Sequence, residues 1–182
     1  MYSDIFCKVY NEFGWNYYPE IFGQQLLLWL QRRGIAPKTC MDLGCGTGLE
    51  LNEYFPLNPS ARITGIDLAP GMLDTLREKF PDKNLTLILG SYFTEDFGEN
   101  RFDAAVSVES LHHFTKEEKT PLYIKLHKAL KDGGCFILTD YFSLSDEEEL
   151  QHRNNLIALK AEQDIGDNEF YHYDTPLTVQ HE

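Results

Sequence analysis

The chain has 182 residues, 42% of them hydrophobic and 13% aromatic, with a formal net charge of -13. This composition excludes a disordered chain, and the length suits one domain with a buried core. The acidic surface is repelled by phosphate backbones, which disfavours a nucleic-acid partner; the densest basic stretch, Lys116 to Lys131, is itself interrupted by Glu117 and Glu118.

The four cysteines, Cys7, Cys40, Cys45 and Cys135, form no C-x-x-C pair. No Cys/His cluster has zinc spacing, so no metal is expected. Cys40 and Cys135 sit in apolar strand patterns and read as buried free thiols. The first residues lack the basic-then-apolar pattern of a signal peptide. The longest apolar run of the first half, Leu26 to Leu30, is far short of a membrane span. A soluble cytoplasmic protein with no membrane partner is expected.

Residues 1–36 read as an N-terminal helical segment that lids the core. Phe6, Tyr10 and Phe13 have helical spacing, and Pro19 opens a second helix with Ile21, Leu26, Leu27 and Leu30 on its apolar face. Arg32 and Arg33 suit its last turn before Gly34. A strand follows over 38–43, then the loop Gly44-Cys45-Gly46-Thr47-Gly48 and a helix over 48–54. Strand 62–67 leads to a helix over 70–80, with Pro70 in its first turn. Strands 85–89 and 102–108, a helix over 119–130, the turn Asp132-Gly133-Gly134 and a strand over 135–141 complete the core. This alternation predicts an α/β domain over 37–142, with a mostly parallel sheet, helices on both faces and right-handed crossovers. The tail, 143–182, begins with a helix capped by Ser145 and charged at its start by Asp146 to Glu149, running to about Gln163. An aromatic patch, Phe170 to Tyr173, follows. Thr178 looks like a helix cap, so the chain ends where a helix is due; the tail is expected on the substrate side and cut short.

The glycine loop carries the chemistry. Gly44 and Gly46 permit backbone conformations closed to other residues and let the backbone approach a ligand. The following helix offers unpaired N–H groups to a carboxylate or phosphate, and Gly48 lets it pack closely on the sheet. A plain glycine-rich turn would read the same in isolation. Asp67 adds a carboxylate at the end of the second strand, able to accept hydrogen bonds from ribose hydroxyls where open α/β sheets bind ligands; it also suits a helix cap. The spacing G-x-G-x-G departs from the G-x-G-x-x-G of nicotinamide sites, and the absence of G-x-x-x-x-G-K-[ST] excludes a P-loop.

These residues carry a resemblance. Cys40-Met41-Asp42-Leu43-Gly44-Cys45-Gly46-Thr47-Gly48 resembles the first motif of class I S-adenosylmethionine-dependent methyltransferases, and Ile66-Asp67-Leu68-Ala69-Pro70-Gly71-Met72-Leu73 resembles their second. Phe102 to Ser107 followed by Leu111-His112-His113-Phe114 is similar to their fourth-strand motif, and Leu130-Lys131-Asp132-Gly133-Gly134 to the turn before their fifth strand, where the family often has proline in place of Asp132. The match covers about 38–141. It implies a Rossmann-like, doubly wound fold, S-adenosylmethionine as methyl donor with S-adenosylhomocysteine as product, and in-line transfer to a small-molecule acceptor. By the same resemblance Gly44, Cys45, Gly46 and Gly48 line the methionine end, and Asp42 meets its ammonium group, directly or through water, or braces the loop. Asp67 holds the ribose, and Leu68 and Met72 pack against the adenine. Ser91 stands where the family often has an acid, Tyr92 packs beside the ring, and Val108 and Glu109 face the methionine portion. Tyr10 resembles the lid tyrosine near the sulfonium, a cation attracted to aromatic faces. The family's final helix and antiparallel strand pair are expected to be missing, which would leave the fifth strand an exposed edge; a monomer or homodimer is expected.

Methyl transfer relies on positioning, which supplies about 7–11 kcal/mol of such a barrier. A base is needed only where the acceptor carries a proton that must leave. His112 and His113 are the candidates, and structural hydrogen bonds at a helix start account for them equally. Glu109 and Tyr141 lie near the same sheet edge. Rival readings are a non-catalytic S-adenosylmethionine-binding fragment and an NAD-dependent oxidoreductase, the second opposed by the loop spacing.

Overall fold

The computed structural model describes Arg32, Gly34, residues 37–166, Glu169 and residues 172–182. The expected N-terminal helices, Tyr10 among them, therefore lie outside the described residues. Five strands form one sheet: β1 (Thr39–Leu43), β2 (Arg62–Asp67), β3 (Asn84–Leu89), β4 (Phe102–Val108) and β5 (Leu130–Thr139). Their order is β3-β2-β1-β4-β5, with every pairing parallel. Among the described residues, the helices α1 (Leu51–Leu57), α2 (Pro70–Lys79), α3 (Lys116–Ala129) and α4 (Asp146–Glu162) accompany them.

Residues alternate across the sheet, as strands buried on both faces require. Cys40 of β1 packs with Ile63, Ala104 and Val106 under Tyr54, Phe55, Leu73 and Leu76 from α1 and α2. Its neighbours Met41 and Leu43 face the other way, joining Ile66, Ala105 and the α3 residues Leu122 and Leu126. The doubly wound architecture expected from the sequence is thus present. The strand order reverses at β1, which has β2 on one side and β4 on the other. Reversal opens a crevice beyond the carboxyl ends of those strands.

Three elements start three or more residues away from the sequence reading. Helix α1 starts at Leu51, not Gly48, because Gly48 has φ +63° and a right-handed helix cannot include it. Helix α3 starts earlier, at Lys116, because Thr115 and Glu118 form a capping box: the Thr115 hydroxyl accepts from the Glu118 N–H at 3.3 Å and the Glu118 carboxylate from the Thr115 N–H at 2.8 Å. Strand β5 also begins early, since Leu130 already pairs with Phe102 ahead of an irregularity in the ladder. Among the described residues β5 has a neighbour on one side only.

The tail folds back over the carboxyl end of the sheet. The Ser143 N–H donates to the Leu177 carbonyl at 2.9 Å, and the Thr175 N–H to the His112 carbonyl at 2.8 Å. Glu149 of α4 accepts from the Thr178 N–H and contacts His181, each at 2.8 Å. Buried Lys119 pairs with Glu182, which also accepts from the Tyr123 hydroxyl. No helix of the described residues is long and apolar enough to cross a membrane.

Gly48 makes the close approach of loop and helix possible, for a Cβ there would meet Leu76 Cδ1 at 2.3 Å. Gly48→Ala is expected to destabilise by about 1–3 kcal/mol through overpacking, on top of about 1–2 kcal/mol for the left-handed backbone. Gly133 has φ +78° but open space around it, so Gly133→Ala should lose the backbone contribution alone. Urea denaturation of the two variants checks this; equal losses would remove the packing role from Gly48.

Candidate functional site

The crevice at the strand ends is a cleft of about 570 Å³, within the range of small-ligand sites. Of the residues expected at a cofactor site, Gly44, Cys45, Gly46 and Asp67 line one wall, with Leu68 and Met72 beside them. Tyr92, Val108 and Glu109 line the next stretch, and His112 and His113 the far end. Asp42, Gly48 and Ser91 do not border it. Ser91 instead closes its own turn, its Oγ accepting from the Phe93 N–H at 3.2 Å.

The loop is stitched to β2. The N–H groups of Gly44 and Cys45 both donate to the Ile66 carbonyl, at 2.9 and 3.2 Å. Gly44, at φ +70°, leaves room for Ser110: a Cβ would come within 2.1 Å of Ser110 Oγ. Gly46, at φ +48°, borders the cleft, and a Cβ there would meet nothing within 4 Å. Cys45 is buried, its Sγ packed over Gly65. Asp67 joins the pieces: one carboxylate oxygen accepts from the Gly46 N–H at 2.9 Å, the other from the Ala69 N–H at 2.8 Å, at the start of α2. Cap and cleft wall are therefore the same side chain. Burial raises the Asp67 carboxyl above the ordinary range, against the pull of those N–H groups.

Glu50, which sequence reasoning did not single out, lines the cleft, while Asp42 lies buried beneath it. Asp42 Oδ2 and Glu50 Oε1 are both buried without a hydrogen-bond partner. Burial raises both carboxyls, and the neighbouring charge of Glu50 raises Asp42 further. Two bare carboxylates in contact repel, which favours a proton shared between them. The only signal in the sequence is an acid two residues beyond the last glycine of the loop.

The far end is polar. A 3-10 turn, Leu111–His113, follows β4. Asp140, just beyond β5, has a buried carboxylate that accepts from the N–H groups of Leu111 (2.8 Å), His112 (3.1 Å) and Tyr141 (2.9 Å) and from His112 Nδ1. This fixes the His112 ring. His112 Nε2 lies 3.3 Å from Asp174 Oδ1, and His113 Nδ1 lies 3.4 Å from the same oxygen. Burial, aided by the charges of His112 and His172, lowers the His113 pKa to about 4, so its imidazole is neutral at physiological pH. Glu109 adopts φ +49°, a strained conformation for a non-glycine residue. Burial, with the charge of Asp140, raises its carboxyl, and it hydrogen-bonds to Tyr141. Tyr92 packs on Phe93 and Phe114, its hydroxyl 3.2 Å from Ser110 Oγ. Tyr141 borders the cleft beside Glu109, at the sheet edge where the sequence placed both, whereas Asp140 and Asp174 enter the site through strand-end and tail positions that no local motif marks.

Comparison with known proteins decides the lineage of this cleft. The family model described as a methyltransferase domain matches residues 40–134, just over half of the chain and spanning the loop, Asp67 and His112. The chain belongs to the class I S-adenosylmethionine-dependent methyltransferase family. Among curated relatives it is 29% identical over 171 residues to the biotin biosynthesis bifunctional protein BioHC of Teredinibacter turnerae, covering 81% of this chain and 30% of that protein. It is 30% identical over 148 residues to the sterol 24-C-methyltransferase of Saccharomyces cerevisiae, covering 74% and 35% respectively. The chain thus spans about a third of the length of these two relatives. Its fold is that of a Leishmania major SAM-dependent methyltransferase, with a TM-score of 0.63 at 16% identity over 79% of this chain and 58% of the other. The methyltransferase family uses S-adenosylmethionine as its methyl donor, and the cleft occupies the switch point where such folds bind ligands.

The acid pair gives a pH-dependent stability. A carboxyl whose pKa is raised on folding stabilises the fold fully below its ordinary value of about 4; that contribution is lost as pH rises through the raised value. Glu50→Gln removes the conflict and is expected to be more stable than the wild type at pH 8 by about 1–3 kcal/mol, the cost of an unsatisfied buried group. The difference should shrink towards zero near pH 4. Urea denaturation at both pH values tests it, and a pH-independent difference would refute proton sharing.

Proposed function

We propose that this chain binds S-adenosylmethionine in the cleft and transfers its methyl group to a small-molecule acceptor. One observation carries the reading: the glycine loop, the Asp67 carboxylate and the polar end around His112 all border a single cleft at the sheet's switch point. The donor supplies an electrophilic methyl group on a sulfonium whose departure needs no acid.

The residues present fit that donor. Asp67 has two oxygens fixed by backbone N–H groups, and each keeps acceptor capacity for a ribose hydroxyl. Leu68 is 66% exposed at the cleft wall and, with Met72, offers an apolar face for the adenine; Tyr92 completes it, and Ser91 stands behind in the turn. Gly44, Cys45 and Gly46 present backbone to the methionine end, and Gly48 sets the loop against α2. The Asp42–Glu50 pair, with its unpartnered buried oxygens, suits an ammonium group. Val108 and strained Glu109 lead from there to the polar end. Tyr10 remains the proposed lid residue, outside the described residues.

The acceptor then lies against His112, His113, Tyr141 and Asp174. A net charge of -13 supports a small molecule over a polyanion, as do relatives such as the yeast sterol enzyme. The free thiols of buried Cys40 and Cys45 suit the reducing cytoplasm.

Calorimetric titration with S-adenosylhomocysteine tests the donor site. Wild type is expected to bind, and Asp67→Asn to bind about 10–100-fold more weakly, the equivalent of about 1.5–3 kcal/mol for hydrogen bonds to a charged group. Thermal melts of both proteins separate loss of binding from loss of fold, since Asp67 also braces the loop. Stabilisation by NAD with no response to S-adenosylhomocysteine would overturn the reading.

A further inference from the structure

We propose that His112, His113 and Asp174 form a site for a divalent transition-metal ion of the zinc class at the acceptor end of the cleft. His112 Nε2, His113 Nδ1 and a carboxylate oxygen of Asp174 all lie within 4.8 Å of one another. Metal–nitrogen and metal–oxygen bonds of about 2.0–2.2 Å place neighbouring ligand atoms of a tetrahedron about 3.3–3.5 Å apart. The separations from Asp174 Oδ1 are 3.3 Å to His112 and 3.4 Å to His113.

The support behind the ligands fits the same reading. Asp140 accepts from His112 Nδ1, which leaves Nε2 for an ion. A carboxylate behind a ligating imidazole sets its tautomer and raises its basicity. The Asp140 carboxylate is itself buried and held by three backbone N–H groups. Asp174 is placed by its neighbour Thr175, whose N–H and hydroxyl both donate to the His112 carbonyl. Ordinary ion pairing explains less. Asp174 is 58% exposed, where a pair is worth about 0–1 kcal/mol, yet two imidazole nitrogens converge on one of its oxygens.

Two imidazoles and one carboxylate suit zinc, iron(II) or nickel and are poor ligands for magnesium or calcium. Three protein ligands leave a coordination position open, as at catalytic rather than structural sites, and all three residues border the cleft. Binding requires His113 to carry its proton on Nε2 and to give up the 3.3 Å contact of Nδ1 with the Tyr173 carbonyl. The function of the ion rests on the methyltransferase reading above. It holds an acceptor hydroxyl or thiol and promotes loss of its proton to solvent. The acceptor atom then bonds to the methyl carbon as the carbon–sulfur bond breaks, and the sulfonium becomes a neutral thioether. The ligands come from the turn after β4 and from the tail, so no sequence spacing announces them.

The test titrates metal-stripped protein with Co²⁺ by visible absorption and with Zn²⁺ by calorimetry. Wild type is expected to take one equivalent and to show the intense bands of four- or five-coordinate cobalt. Asp174→Ala, at an exposed position, is expected to keep its melting temperature and lose at least about 10-fold in affinity; Asp140→Asn should lose about 10–100-fold. His181→Ala, outside the cluster, should bind as wild type. Failure of the wild type to bind one equivalent, or equal affinity in wild type and Asp174→Ala, would overturn the site. S-adenosylhomocysteine binding is measured on the same samples. Its retention without metal binding sinks the metal site alone, and metal binding without it sinks the donor assignment alone.

Discussion

The cleft depends on the carboxylate of Asp67. Its two oxygens take the N–H groups of Gly46 and Ala69, tying the glycine loop after β1 to the first turn of α2. Each of those N–H groups belongs to a segment whose backbone has left regular structure, where an unpaired donor would cost about 1–3 kcal/mol. A hydrogen-bonding side chain at the end of β2 is therefore a structural necessity. The same position lies at the sheet's switch point, so the group that satisfies the loop also faces the ligand space. Asp67 needs no choice between cap and ligand contact, because a carboxylate has acceptor sites for both.

The opposite end is built on a different principle. There a buried carboxylate, Asp140, collects three backbone N–H groups and one imidazole, so charge burial is compensated by hydrogen bonds. The result locks the turn Leu111–His113 against the end of β5. The tail is then anchored on that turn through Thr175 and on α4 through Glu149. One end of the cleft is thus set by backbone geometry close in sequence, and the other by contacts between distant segments.

That division explains what the sequence disclosed. The places of the glycine loop, Asp67, Leu68 and Met72 beside the cleft were legible because local patterns put them at and just after strand ends. The parallel sheet was legible from the alternation of strands with helices along the chain. Helix boundaries failed where one residue overrides the pattern: positive φ at Gly48 delays α1, and the Thr115–Glu118 box advances α3. Glu50 was hidden because an acid on a helix start normally reads as solvated, whereas here it is buried against Asp42. Asp140 and Asp174 were hidden because their partners lie far along the chain, 28 residues away for the Asp140–His112 contact. No periodicity encodes such a meeting.

The two ends also differ in what they are made of. The end proposed for the donor combines loop backbone with the carboxyls of Asp67 and Glu50 and the side chains of Leu68, Met72 and Tyr92. The acceptor side is made almost wholly of side chains on a turn and a folded-back tail. A shift of the tail by one residue would replace Asp174 with Tyr173 or Thr175, neither of which places a carboxylate between the two imidazoles. The hydrogen bonds of Thr175 to His112 and of Ser143 to Leu177 fix that register from both directions. On the proposed assignment, the register of the tail is accordingly the structural variable that sets the chemistry offered to an acceptor, while the loop and Asp67 set much of what is offered to the donor.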